Sequence, residues 1–317
     1  MNIMVNDYCN LNCKYCFAGV NKNHNDISDE NMFKYISFLK RSNHRALRIL
    51  GGEPTINPSF ARYVQTANSD DFFQEVMIFT NGYALTPQLI DEIFSHKLAF
   101  LINLNKKEDI GKHKYNKTIE NITYLVNKYR ENNMEPKVLF GINIYEKDFD
   151  YKYIVEETKR LELKTIRYSI TVPKKAGKQI EISYYSDYIP QLKKFLRECY
   201  DNKITTALDC NNIPKCLFTK EELIELQLCG HDLCYKNGCN MPLDVNLNLE
   251  VTRCFPFFDK FRVNLNDYKD MKELTSYFYN NIDYFKYEQP TFKECNDCSM
   301  FKNKMCQAGC MAYKLGR

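Results

Sequence analysis

No apolar run in the 317 residues approaches the ~20 that a bilayer-spanning helix needs, which excludes an integral helical membrane protein. No export leader is expected either, because residue 1 leads straight into a short strand-like run and an early cysteine cluster. Strong charge bias is also missing. The formal net charge of +4 at pH 7 is too mild to demand a nucleic-acid partner. There is no low-complexity linker and no internal repeat beyond a β-α alternation. Hydrophobic residues at 44% and charged residues at 26% are ordinary for a folded chain and exclude wholesale disorder. The length suits one large or two modest domains. The abundant residue is cysteine. Fourteen cysteines without an export signal argue against a disulfide framework and for metal or redox chemistry in a reducing cytoplasm.

The first 170 residues alternate between strand-like and helix-like stretches. Strands are expected at Asn2–Val5, Ala46–Leu50, Glu75–Phe79, Leu98–Leu104, Lys137–Ile144 and Lys164–Thr171, each apolar nearly throughout, as in strands covered on both faces. Asn57-Pro58 and Thr86-Pro87 each place a capping side chain before a proline suited to a first helical turn. In Tyr115–Asn132, Ile119, Ile122, Leu125, Val126 and Tyr129 recur at helical spacing. Six β-α repeats imply a parallel sheet with right-handed crossovers, as a partial (β/α)6 barrel or, alternatively, a doubly wound sheet. The expected organisation is an α/β partial barrel over 1–182, a linking helix over 183–203 and a small cysteine-rich domain over 204–317. In that last region Thr219 and Glu222 form a capping box, while the remainder is turn-rich and sparse in apolar residues, so metal ligation would supply much of its stability.

Cys9, Cys13 and Cys16 read Cys-x3-Cys-x2-Cys directly after the first strand, at the face where barrel enzymes keep their active sites. Three thiolates at this spacing can hold three corners of a 4Fe–4S cube. A cube fully ligated by protein takes four cysteines, so a triplet leaves one iron open to a substrate or cofactor. A zinc knuckle with a distant fourth ligand, or three buried thiols, would use the same residues. The triplet, with Tyr15 before its third cysteine, resembles the motif of the radical S-adenosylmethionine (SAM) superfamily. Gly51-Gly52-Glu53-Pro54 at the end of the second strand looks like that family's SAM-binding signature, and Thr80-Asn81-Gly82 after the third is another common family element.

The resemblance implies a radical SAM partial barrel that reductively cleaves SAM to methionine and a 5′-deoxyadenosyl radical, which then takes hydrogen from a substrate. It implies Cys9, Cys13 and Cys16 as cluster ligands. It also implies a cofactor site drawn from Tyr15, Gly51, Gly52, Glu53, Pro54, Thr80, Asn81, Asn103, Asn105 and Arg167. Glu53 would pair with the methionyl ammonium, and the two glycines would let backbone approach the ligand. Asn103 and Asn105 stand where the family often has a Ser or Asp contacting ribose. Arg167 could face the cofactor carboxylate or form a salt bridge at the core edge.

Eleven cysteines lie between Cys199 and Cys310. Cys239-x14-Cys254 and Cys295-x2-Cys298-x7-Cys306-x3-Cys310 resemble the auxiliary iron–sulfur domain called SPASM, or its shorter relative twitch. The resemblance implies one or two auxiliary 4Fe–4S clusters. The x7 gap, Leu249 in place of a glycine and the lack of a final cysteine depart from the usual pattern. Spacing allows Cys239, Cys254 and Cys310 with Cys234 or Cys216 in one site, which leaves Cys295, Cys298 and Cys306 for a second with an open iron or a substitute ligand. It also allows Cys210, Cys216, Cys239 and Cys254 in one and Cys295, Cys298, Cys306 and Cys310 in another; this second partition is preferred because it closes both sites. Structural zinc would suit the same spacings. Cys199 and Cys229 sit in helical patterns and read as structural thiols.

Such domains accompany enzymes that crosslink, epimerise or oxidise peptides and proteins, which makes a peptide or protein the expected substrate. A dehydrogenase of carbohydrates or other small molecules is the alternative, and a zinc scaffold binding nucleic acid or protein is the non-enzyme alternative. The leader-binding module of many peptide-maturing relatives is not expected before Cys9, so a separate leader-binding protein would serve. A flavodoxin or ferredoxin would donate electrons. The basic loop Pro173–Lys178 follows the sixth strand and reads as a solvated loop or as a steering element for an acidic substrate.

Overall fold

Apolar five- and six-residue runs separated by amphipathic stretches leave the chain few choices but a covered parallel sheet, and a computed structural model of the protein has that form. It describes residues 1–16, 24–172, 180–209, 213–230, 239, 241–258 and 260–314; Cys210, Cys234 and the basic loop lie outside these. The strands are β1 (Asn2–Met4), β2 (Ala46–Leu50), β3 (Glu75–Thr80), β4 (Leu98–Asn103), β5 (Val138–Ile144), β6 (Thr165–Ile170), β7 (Thr205–Leu208), β8 (Asp244–Val245), β9 (Glu250–Thr252) and β10 (Arg262–Asn264). Two compact units divide the chain: Met1–Leu139 with Pro242–Phe278, and Phe140–Met241 with Tyr279–Arg317.

In the first unit the strand order is β10-β9-β8-β1-β2-β3-β4. β8, β1, β2, β3 and β4 run parallel, and β9 and β10 close the edge as antiparallel additions. The distant β8 is fastened by Asn2 Nδ2, which donates to the buried Asp244 carboxylate at 2.8 Å beside the β1–β8 pairing. β4 is buried at five of its six positions, the signature of a strand covered on both faces. Helix Lys112–Glu131 turns Ile122, Leu125, Val126 and Tyr129 into the core. Thr86 caps the helix Pro87–Ile93 by accepting from Leu89 N, with Pro87 in its first turn.

Asn57-Pro58 behaves differently from its sequence pattern. Asn57 closes the short turn Pro54–Ile56, and the following helix starts only at Phe60 behind Ser59. The Asn57 amide is instead drawn to Val5 O and Asp26 Oδ1, both at 2.8 Å, so the side chain ties loops together.

In the second unit β5, β6 and β7 pair in parallel. The expected long helix is two, Ser183–Ser186 and Ile189–Asp201, with Pro190 in the first turn of the latter. The capping box of Thr219 and Glu222 forms as expected at the helix Lys220–Leu228. Among the described residues no helix is long and apolar enough to cross a membrane.

Candidate active site

In the first unit, the loops following β1, β2, β3 and β4 leave the sheet at the carboxyl ends of adjacent parallel strands. Backbone bonds draw the first two together: Val5 N donates to Leu50 O (2.8 Å), Gly52 N to Asn6 O (3.0 Å) and Glu53 N to Tyr8 O (2.9 Å). The Asn6 side chain, fully buried, adds a bond to Glu53 O at 2.8 Å. This approach explains the paired glycines. A Cβ at Gly52 would stand 2.1 Å from Tyr8 O, and one at Gly51 would stand 2.1 Å from Asn6 Oδ1. The missing side chains therefore let the cysteine loop lie against the β2 turn.

Cys9, Cys13 and Cys16 are free, partly buried thiols on this loop. Cys16 N donates to Cys13 O at 3.0 Å, a tight turn that carries both thiols on one short segment. The Cys9 sulfur accepts from Leu11 N (3.4 Å) and Asn81 Nδ2 (3.7 Å). Asn81 comes from the turn after β3, and the same amide donates to Asn10 Oδ1 at 2.8 Å. Burial above all, with the Glu53 and Cys16 charges, holds the Cys9 thiol above its usual range, while the Leu11 and Asn81 donors oppose the shift. Burial pushes Cys13 up to about 11. Thiols in this state would lose their protons to solvent on binding a metal, whose positive charge would offset the repulsion between the thiolates.

Glu53 is 1% exposed. Its Oε1 accepts from the Thr55 and Thr80 hydroxyls, both at 2.6 Å, and from Thr55 N at 3.2 Å; Oε2 accepts from Asn81 N at 2.7 Å. Burial raises its carboxyl above the usual range against those donors. The carboxylate thus locks the turns after β2 and β3 to each other. Pro54 is buried directly behind it. Beyond β4, Asn105 is buried and its Oδ1 accepts from the Tyr15 hydroxyl at 2.7 Å, while its Nδ2 donates to Asn103 O at 3.2 Å. The structure therefore brings Cys9, Cys13, Cys16, Tyr15, Gly51, Gly52, Glu53, Pro54, Thr80, Asn81, Asn103 and Asn105 to one set of loops. Arg167, on β6 in the second unit, forms an ion pair with Asp209.

Residues 3–157 match the model of the radical SAM superfamily. The chain carries a radical SAM domain. Its α/β fold with a parallel sheet is the radical SAM fold, followed by a cysteine-rich C-terminal region. Sequence relatives include the GTP 3′,8-cyclase of Clostridium perfringens strain SM101, 22% identical over 147 residues, which are 44% of this chain and 45% of that protein. The S-adenosylmethionine-dependent nucleotide dehydratase of Selenomonas ruminantium is 36% identical over 98 residues, 30% of this chain and 35% of the relative. The matches thus span less than half the length of these curated relatives. Among solved structures, Streptococcus suis SuiB bound to S-adenosylmethionine superposes with a TM-score of 0.65 over 98% of this chain and 72% of its own, at 14% identity. Native anSMEcpe with bound AdoMet and Kp18Cys peptide gives 0.66 over 98% and 89%, at 17% identity.

The radical SAM domain implies a 4Fe–4S cluster and SAM, and the residues present fit them. Three free thiols share one loop, and two N–H groups already point at one sulfur, the kind of outer contact that tunes cluster thiolates. Glu53 Oε2, which accepts a single bond among the described residues, keeps acceptor capacity for an ammonium.

The second unit holds the described tail cysteines other than Cys254. Cys295 ends the turn Lys293–Cys295, Cys298 N donates to Cys295 O at 3.2 Å, and Cys306 N returns to Met300 O at 3.1 Å. Cys310 is buried, and burial followed by the nearby Cys239 pushes its thiol up. Cys254 follows β9 in the first unit. Sequence reasoning missed Lys314. It is 2% exposed, and its Nζ donates to Lys286 O at 2.7 Å and to Gln307 O. Burial lowers its pKa to about 8 against the opposing charges of Cys306, Cys310, Cys295 and Cys239. Its only sequence signal was a position one helical turn beyond the last cysteine. Among the described residues, no three His, Cys, Asp or Glu side chains converge closely enough to share a single metal ion.

Proposed function

We propose that this radical SAM protein modifies a peptide or protein by abstracting hydrogen from a side chain or the backbone, leading to a crosslink, an epimerised centre or an oxidised residue. The observation that carries this reading is that likeness to SuiB and anSMEcpe extends over 98% of the chain, including its cysteine-rich tail. Those structures include one of SuiB bound to precursor peptide SuiA and one of anSMEcpe with a peptide. A 4Fe–4S cluster and SAM bound here would supply reductive cleavage of SAM, and with it a 5′-deoxyadenosyl radical able to take hydrogen from carbon.

The protein's own part is to hold and orient. Cys9, Cys13 and Cys16 are the cluster ligands. Asn81 and Leu11 N fix the Cys9 sulfur. Glu53 and the neighbouring Thr80 and Asn81 form the rim that meets the amino-acid end of SAM, and the Tyr15–Asn105 bond fastens the cysteine loop to the end of β4. The tail reads as a SPASM- or twitch-like domain with one or two auxiliary 4Fe–4S clusters. A flavodoxin or ferredoxin supplies the electron in the cytoplasm, and leader recognition falls to a separate protein.

A nucleotide substrate is the second reading, favoured by the names of the sequence relatives, although those matches are confined to 30–44% of this chain. Anaerobically reconstituted, reduced protein given SAM with a panel of perdeuterated peptides, and separately with GTP, tests both. Deuterium in 5′-deoxyadenosine together with a mass change on a peptide supports the proposal. Turnover of GTP alone refutes it in favour of the second reading.

A further inference from the structure

Three tail thiols lie on a single hairpin-like segment, Cys295, Cys298 and Cys306, folded back by the Cys298 N to Cys295 O and Cys306 N to Met300 O bonds. Ala308 N donates to the Cys306 sulfur at 3.3 Å, as N–H groups do around cluster thiolates. Cys310 is the next in sequence and is placed with them in the partition preferred from spacing. It is buried, and the cysteine it interacts with is Cys239.

A fourth thiol comes from elsewhere in the same unit. Cys216 occupies the middle of the turn Lys215–Leu217, pinned by Leu217 N to Pro214 O and Phe218 N to Lys215 O, both 3.1 Å. Its thiol is within electrostatic range of Cys306 and Cys298, and that of Cys295 is within range of Cys216, Cys306 and Cys298. Among the described residues, Cys229 and Cys199 have no such company. Cys229 interacts with Arg197, Glu225 and Asp201, and Cys199 with Glu198.

Lys314 adds an independent pointer. A buried ammonium whose hydrogen bonds go to carbonyl oxygens and which lies 5.5 Å from the centroid of the Phe301 ring, with no carboxylate in ion-pair distance among the described residues, is costly unless anionic charge lies nearby. Its electrostatic neighbours are the thiols Cys306, Cys310, Cys295 and Cys239. A cluster held by four thiolates supplies such charge.

We propose that Cys216 is the fourth thiolate of an iron–sulfur site formed with Cys295, Cys298 and Cys306, an inference that rests on reading the tail as an auxiliary-cluster domain. Cys216 and Cys310 thereby exchange places relative to the partition preferred from spacing.

The test is iron and sulfide analysis with EPR on anaerobically reconstituted full-length protein. It compares wild type, Cys216→Ala, Cys216→Ser and Cys229→Ala. Wild type should hold at least two clusters, about eight irons or more. Cys216→Ala should lose about one to four irons per chain and one reduced-cluster signal, while the signal that responds to SAM is retained; Cys229→Ala should match wild type. Cys216→Ser, which keeps an oxygen ligand, should retain more iron than the alanine variant with a shifted spectrum, and it serves if the alanine variant does not fold. Equal iron and identical spectra in wild type, Cys216→Ala and Cys216→Ser would overturn the Cys216 assignment alone. A wild type holding only about four irons, or zinc in the tail, would overturn the auxiliary-domain reading with it.

Discussion

Gly52→Ala should damage the N-terminal cluster site without touching a single cysteine. The added Cβ would sit 2.1 Å from Tyr8 O, 2.4 Å from Tyr8 C and 3.0 Å from Tyr8 N, all backbone atoms with no rotamer to escape into. Overpacking of this kind costs about 1–3 kcal/mol. Relieving it by separation would stretch the Gly52 N to Asn6 O and Glu53 N to Tyr8 O bonds, each worth about 0.5–1.5 kcal/mol. The total is about 2–6 kcal/mol, a large share of the ~5–15 kcal/mol that holds a typical domain folded. The displaced segment also carries Cys9. Urea unfolding followed by circular dichroism, with iron counted after reconstitution, should show a lower midpoint and the loss of about four irons. Gly111→Ala is the control. It meets no atom within 4 Å, so only backbone strain applies: φ 84° with ψ 150° is a conformation used almost solely by glycine, at a cost of about 1–3 kcal/mol, and iron is retained. A Gly52→Ala protein with the wild-type midpoint and full iron would refute the packing argument.

Cys13→Ala should abolish 5′-deoxyadenosine formation, whereas Cys298→Ala should spare uncoupled SAM cleavage yet yield no modified product; chromatography with mass detection of both species checks this. Burial raises the Glu53 carboxyl, so above its unfolded value of 4.5 the native state binds more protons than the unfolded state and stability falls as pH climbs. Glu53→Gln lacks that slope, and the wild-type minus variant unfolding free energy should therefore shrink between pH 4.5 and neutrality; a constant or growing difference contradicts the assignment. Leu249 adopts φ +60° yet is 1% exposed. Glycine there would relieve about 1–2 kcal/mol of backbone strain but remove a buried leucine worth about 2–5 kcal/mol, so Leu249→Gly should destabilise, as thermal unfolding will read.

The parallel strands were legible because their burial on both faces writes itself as continuous apolar runs: β2 coincides with its expected span, and β1, β3, β4, β5 and β6 deviate by one residue or so at an end. β8, β9 and β10 were not, since two or three residues carry no usable period; β8 is defined by its pairing with β1 some 240 residues away. β7 was hidden the same way, as Thr205 and Thr206 interrupt its apolar run. At the site, residue types revealed the thiols and the Gly-Gly-Glu-Pro turn, but not why the glycines are needed. That reason is Asn6 against Gly51 and the backbone of Tyr8 against Gly52, which sequence spacing cannot place opposite them. Grouping of the tail cysteines was equally opaque, because Cys216 stands within electrostatic range of Cys306 and Cys298 through the fold and not through any local motif.

EPR of the anaerobically reduced protein, recorded before and after addition of SAM, tests the central claim most directly. A cluster held by Cys9, Cys13 and Cys16 with an open iron should give a 4Fe–4S signal whose g-values shift on SAM binding, and Cys13→Ala should remove that response. A spectrum indifferent to SAM in fully iron-loaded wild type would contradict the account.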